Sequence, residues 1–244
     1  RTPTVSPTRV DRTMKPHIKL STTKAPDGSE LCLYEHDGDF SIMVDRHELM
    51  SSRQHESELE LARLGCERIA QRRSPTVLIG GLGMGYTLRQ TLDMLQPQAN
   101  VIVAELMPEV IRWNREILGH LTDHPLLDKR VTIKTADVAS VMAHSPNGFD
   151  AILLDVDNGP EAMTTKANHN LYSRSGIRNC LKALHTKGCL SIWSASKDPS
   201  FERRLRRDSL HVRAFHVTKR KGGKNRPRCI WVASRDGHSL PERE

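Results

Sequence analysis

The stretch "AILLDVDNGP", from Ala151 to Pro160, sets an apolar run directly in front of Asp155 and Asp157. Asn158, Gly159 and Pro160 follow, residues that turn a chain. A carboxylate at such a point can hold a cation, accept hydrogen bonds from hydroxyls, or take a proton from an amine. A second stretch, "TVLIGGLGMG", carries Gly80, Gly81, Gly83 and Gly85 after another apolar run. Glycines there permit a tight turn and let backbone N–H groups come close to a ligand. The same spacing also suits a tight turn with no ligand. Two more acids follow apolar runs, Glu105 in "NVIVAEL" and Asp137 in "RVTIKTAD".

These residues need elements to position them. From Thr76 onward the pattern alternates strand and helix: "TVLIG", "YTLRQTLDML", "NVIVAEL", "PEVIRWNREIL", "RVTIKTAD", "VASVMAHS", "FDAILLDVD", "YSRSGIRNCLKAL", "GCLSIWSAS" and "PSFERRLRR". Alternation of this kind predicts an α/β domain, a mainly parallel sheet with helices on both faces. "HVRAFHVTKR" and "PRCIWVASR" close the chain as two strands around "KGGKN", an antiparallel hairpin at the sheet's end. A parallel sheet finished that way is similar to the Rossmann-like variant of methyltransferases that use S-adenosylmethionine (SAM). Ligands of such sheets lie beyond the carboxyl ends of the strands, so the glycine loop, Glu105, Asp137 and Asp155 are expected at one crevice. Glu105 is placed to accept hydrogen bonds from ribose hydroxyls, or to cap the helix that opens near Pro108. Asp137 is placed to meet an adenine amino group, or to cap "VASVMAHS", and the two roles are compatible.

Before the alternating region, "HIKLSTT", "ELCLYEHD" and "FSIMVDRHEL" alternate apolar and polar residues, with Asp27-Gly28 and Asp37-Gly38 between them. Asp-Gly between such segments signals hairpins, so a small antiparallel sheet comes first. "SRQHESELELARLGCERIAQRR" then places Leu59, Leu61, Leu64 and Ile69 for a helix. The expected divisions are a polar arm over 1–16, the small sheet and helix over 17–74, the Rossmann-like domain over 75–236 and a tail over 237–244. Trp113 and Trp193 are expected to pack in the core.

The chain of 244 residues is 37% hydrophobic and 27% charged, an ordinary globular balance. It has no apolar run near the length of a membrane span and opens without a visible signal peptide. Five scattered cysteines, none in a CxxC pair, point to reduced thiols and a cytoplasmic protein, with no metal site. The twelve histidines include no paired-ligand spacing. The net charge of +8 gathers late, in "FERRLRRDSL" and "TKRKGGKNRPR". Nucleic acid could use that charge, but with four Phe and three Tyr and no base-stacking box a solvated helix face and basic loop are favoured.

Over roughly residues 30–235 the sequence resembles the polyamine aminopropyltransferases, the spermidine and spermine synthases. "VLIGGLGMG", "VAELMPEVIRWN", "TAD", "AILLDVDNGP", "LYSRSGI" and "HTKGCLSIWSAS" stand in that family's order. The resemblance implies a nucleoside co-substrate, decarboxylated SAM or SAM, no metal, a small-molecule amine as acceptor, and a homodimer. It implies that Glu105 binds ribose, that Asp137 meets adenine, and that Asp155 orients and deprotonates the amine. Asp157 or Asn158 then positions the acceptor, with Glu58 as a further contact. Apart from the resemblance, His169, between Asn168 and Asn170 after the acid loop, is placed to line the substrate entrance or to belong to a plain polar loop. The residues depart from the family in three places. No aspartate stands in the glycine loop near Gly83; Asn158 occupies the place of a second acid, with Asp157 offset by one; and "SRQHESELELA", with His55, Glu56 and Glu58, lacks the family's tyrosine. Two other functions suit the same fold: a SAM-dependent methyltransferase of a small molecule or RNA, and a nucleoside- or nucleic-acid-binding protein without catalysis.

Overall fold

The computed structural model describes residues 16–156, 170–207, 210–217 and 227–242. Four strands open it, β1 (Ile18–Lys24), β2 (Glu30–His36), β3 (Asp39–Val44) and β4 (His47–Ser51), paired in sequence order as one antiparallel sheet. Both Asp-Gly pairs turn the chain as predicted, with positive φ at Gly28, Asp37 and Gly38. "FSIMVDRHEL", however, is two strands. Asp45 and Arg46, at φ 44° and 71°, reverse the chain in its middle. Two successive left-handed residues make the turn that Asp-Gly usually signals, and arginine gives no such signal. Asp45 holds the turn by accepting a 2.9 Å hydrogen bond from the Glu30 N–H.

Helix α1 (Glu56–Cys66) is shorter than its pattern predicts. Leu61 and Leu64 are buried on it, and Ile69 is buried in the turns beyond it. The large sheet holds β5 (Thr76–Gly80), β6 (Asn100–Glu105), β7 (Val131–Thr135), β8 (Phe149–Leu154), β9 (Leu184–Ser194), β10 (His211–Val217) and β11 (Arg228–Ser234). Their order is β10-β11-β9-β8-β5-β6-β7. Every pairing is parallel except those of β11 with β9 and β10. The strands alternate with α2 (Tyr86–Met94), α3 (Pro108–Trp113), α4 (Val138–Ala143), α5 (Arg174–Ala183) and α6 (Pro199–Arg207). The predicted "KGGKN" turn lies outside the described residues.

The unbroken apolar run of β8 has a direct cause. Ala151 and Leu153 pack into the core layer shared with α1, α2 and the small sheet. Ile152 and Leu154 pack into the opposite layer, with α4, α5 and α6. A strand covered on both faces has no polar face to present. The chain leaves β5 for β6 and β7, then returns to the other side of β5 as β8. That reversal opens a crevice between the carboxyl ends of β5 and β8. At the far end of the chain, Leu240 is buried and its carbonyl accepts a 3.0 Å hydrogen bond from Arg68 Nε.

Candidate active site

Gly80 ends β5, and the loop into α2 passes through Gly81, Gly83 and Gly85 at φ 89°, 53° and 86°. At Gly81 a Cβ would stand 2.2 Å from the Asp155 carbonyl oxygen. Glycine is therefore required both by conformation and by the contact that presses the loop against the end of β8. At Gly83 a Cβ would come within 3.1 Å of Met50 Sδ and Cε, so β4 lies over the same loop.

Glu105 ends β6 and is buried. Its Oε2 accepts a 2.8 Å hydrogen bond from the Leu82 N–H, and its Oε1 accepts one of 2.8 Å from the Met107 N–H. The acid thus holds the glycine loop and the start of α3 together. Burial raises its pKa, against the lowering effect of these backbone donors. Each oxygen keeps a further lone pair for a ligand hydroxyl. Asp137 caps α4, its Oδ1 accepting a 2.9 Å bond from the Ala139 N–H.

Above these strand ends lies a cavity of about 160 Å³, lined by Gly81, Gly83, Glu105, Asp137 and Asp155. The small sheet covers it with Leu31, Ile42, Leu49 and Met50. Among the described residues its lining carries three acids and no Lys, Arg or His. A second cavity, of about 100 Å³, shares Leu49, Met50 and Asp155 with the first and adds Glu48, Gln54, Glu58, Trp193 and Arg228.

Asp155 therefore stands where the two cavities meet. Its N–H donates to the Gly80 carbonyl at 2.9 Å, and its Oδ2 accepts a 2.6 Å bond from the Thr87 hydroxyl. The residue is partly buried and keeps some contact with cavity solvent. Burial first, and the Glu58 carboxylate second, push its pKa up to about 7, opposed by the Thr87 donor. Glu58 is also raised by burial, opposed by the Ser57 hydroxyl, 2.5 Å from its Oε2, and by the nearby Arg228 charge. Each carboxylate therefore disfavours ionisation of the other, and the two titrate as a pair.

Glycine loop, Glu105, Asp137, Asp155 and Glu58 are thus brought together. Asp157, Asn158 and His169 lie outside the described residues. Among the described residues no group of three or more His, Cys, Asp and Glu side chains could hold a metal ion. Three residues of the site escaped the sequence pattern, one through its bond to Asp155 and two as lining. Thr87 sits in the first turn of α2, buried. Trp193, expected only in the core, also forms a wall of the second cavity. Arg228 lies with its guanidinium 5.8 Å from the Trp193 ring centroid. Nearby, Tyr86 stacks on His55 at 4.0 Å between ring centroids.

A Rossmann-like sheet with its crevice at the point of strand-order reversal, preceded by a small antiparallel sheet that covers the crevice, defines a doubly wound type of α/β protein. Within that type the chain belongs to the spermine/spermidine synthase domain family, whose family model matches residues 63–213. It is 26% identical over 159 residues to a polyamine aminopropyltransferase of Prochlorococcus marinus (strain MIT 9515), a match covering 65% of this chain and 54% of that protein. A spermidine synthase solved in complex with the transition-state analogue AdoDATO superposes with a TM-score of 0.72 at 20% identity, covering 91% of this chain and 76% of that one. The spermidine synthase of Thermotoga maritima gives 0.69 at 19% identity over the same shares, 91% and 76%. A probable spermidine synthase of Corynebacterium glutamicum ATCC 13032 gives 0.61 at 18%, covering 88% of this chain and 79% of that one. These likenesses carry the fold as the sequence predicts it.

Proposed function

We propose that the protein is a transferase that moves the aminopropyl group of decarboxylated SAM to an amine, with Asp155 as the general base. The observation that carries this reading is the position of Asp155, shared by a largely apolar cavity edged with acids and a smaller, more polar one. The first cavity takes the nucleoside. Glu105 accepts the ribose hydroxyls, Asp137 meets the adenine amino group, and the glycine loop gives the backbone room to approach. The second cavity takes the amine. Asp155 and Glu58 hold its ammonium, and Asp155 receives one proton. The freed lone pair attacks the propyl carbon bonded to the sulfonium. The new N–C bond forms as the C–S bond breaks, the bonding pair stays on sulfur, and methylthioadenosine leaves. A carboxyl with its pKa near 7 can both accept the proton and return it to solvent at neutral pH.

The choice of donor follows from charge. SAM carries a carboxylate that decarboxylated SAM lacks. Among the described residues the nucleoside cavity offers that group only acids and apolar side chains, with no cation in its lining. Calorimetric titration with decarboxylated SAM, SAM and methylthioadenosine, followed by turnover with decarboxylated SAM, tests the reading. Preference for decarboxylated SAM with release of methylthioadenosine supports aminopropyl transfer. Preference for SAM, or binding without turnover on any amine, overturns it.

A further inference from the structure

The acceptor cavity contains a cation as well as acids. β11 runs antiparallel to β9 with Ile230 opposite Trp193. Arg228 lies two residues before Ile230, hence on the same face and at the edge where the parallel strands end. There its guanidinium lies over the Trp193 ring, a contact that helps fix it. Among the described residues Arg228 makes no ion pair with an acid. It nonetheless lines the same small cavity as Glu58 and Asp155.

We infer that the acceptor is a short ω-amino carboxylate, its ammonium held by Asp155 and Glu58 and its carboxylate by Arg228. This rests on the reading of the second cavity as the acceptor site. A planar guanidinium offers paired N–H donors that match a carboxylate. The charges agree. Burial raises the pKa of both Glu58 and Asp155, so near neutral pH the inner end of the cavity holds less than two full negative charges, with one positive charge on Arg228 beside them. A zwitterion complements both ends. A diamine would bring its second ammonium toward Arg228, and like charges so placed oppose binding. Glu48 lines the cavity from an exposed rim, where solvent screens it.

The test compares γ-aminobutyrate with putrescine, which has the same carbon count and an amine in place of the carboxylate. Both are titrated into the full chain saturated with methylthioadenosine, and kcat/KM is measured for both with decarboxylated SAM. The wild type is expected to favour γ-aminobutyrate. Arg228→Gln is expected to lose that preference by about 10- to 100-fold, the worth of one charged hydrogen-bonded contact, while methylthioadenosine binding stays unchanged. Wild-type preference for putrescine, or a ratio untouched by Arg228→Gln, overturns the inference and leaves aminopropyl transfer standing. Absence of transfer to any amine overturns both. The wild-type comparison decides the matter even if Arg228→Gln folds poorly.

Discussion

The Thr87 hydroxyl donates a 2.6 Å hydrogen bond to Asp155 Oδ2, joining the first turn of α2 to the end of β8 across the crevice. A donor to a carboxylate favours its charged form. Thr87 therefore works against the two influences that raise the Asp155 pKa, burial and the Glu58 charge. The glycine loop delivers this residue, since α2 starts immediately after Gly85. The loop thus shapes the nucleoside cavity on one side and tunes the acid on the other.

Thr87→Val keeps the shape and removes the donor. The Asp155 pKa is then expected to rise above about 7. The acidic limb of kcat/KM against pH should move up by about 1–2 pH units, from the usual worth of a hydrogen bond to a charged group. Methylthioadenosine affinity should hold. A limb that stays in place would show that Asp155 is not the titrating base.

Asp155→Asn is expected to abolish turnover and leave nucleoside binding largely intact. It also carries a stability signature. The folded pKa of about 7 lies above the ordinary 3.8, so between those values the folded state binds the proton that the unfolded state releases. The wild type therefore loses stability as pH rises from about 4 to 7 and keeps that deficit above. An asparagine has no charge to bury. Its Tm advantage over wild type should be absent near pH 4 and present at pH 8, as read by thermal melts across that range.

Asp155 was legible because a strand buried on both faces leaves an unbroken apolar run, and an acid closing such a run stands out. The same logic exposes Glu105 and the glycines. Thr87 and Arg228 left no such trace. A threonine in a helix and an arginine opening a strand are unremarkable until the sheet order sets them beside Asp155 and Trp193. β11 is the clearest instance: its antiparallel insertion between β9 and β10 brings its first residue, Arg228, to the ligand edge. The Asp45–Arg46 turn was hidden for a local reason, because its left-handed backbone is held by tertiary contacts such as that with Glu30 and lacks a glycine.

Glu105→Ala should weaken methylthioadenosine binding by about 1–3 kcal/mol through lost charged hydrogen bonds. It should also lower Tm, because the Leu82 and Met107 N–H groups lose their acceptor. Glu105→Gln keeps one acceptor oxygen and is expected to fall between alanine and wild type in both measurements. An unchanged dissociation constant in the alanine variant removes Glu105 from the site.

The two loop glycines should differ. Gly81→Ala forces a Cβ to 2.2 Å from the backbone oxygen of Asp155 at φ 89°, and neither backbone can yield without opening the junction of β5 and β8. Loss of nucleoside binding and a large fall in Tm are expected together. Gly83→Ala meets only the end of the Met50 side chain at 3.1 Å, which can rotate away, and a φ of 53° that alanine tolerates at a cost of about 1–2 kcal/mol. That variant should remain folded with a modest drop in Tm and a measurable loss of affinity. Thermal melts and methylthioadenosine titration on the pair decide it. Equal behaviour would mean that the loop does not press on β8 as tightly as the Gly81 contact requires.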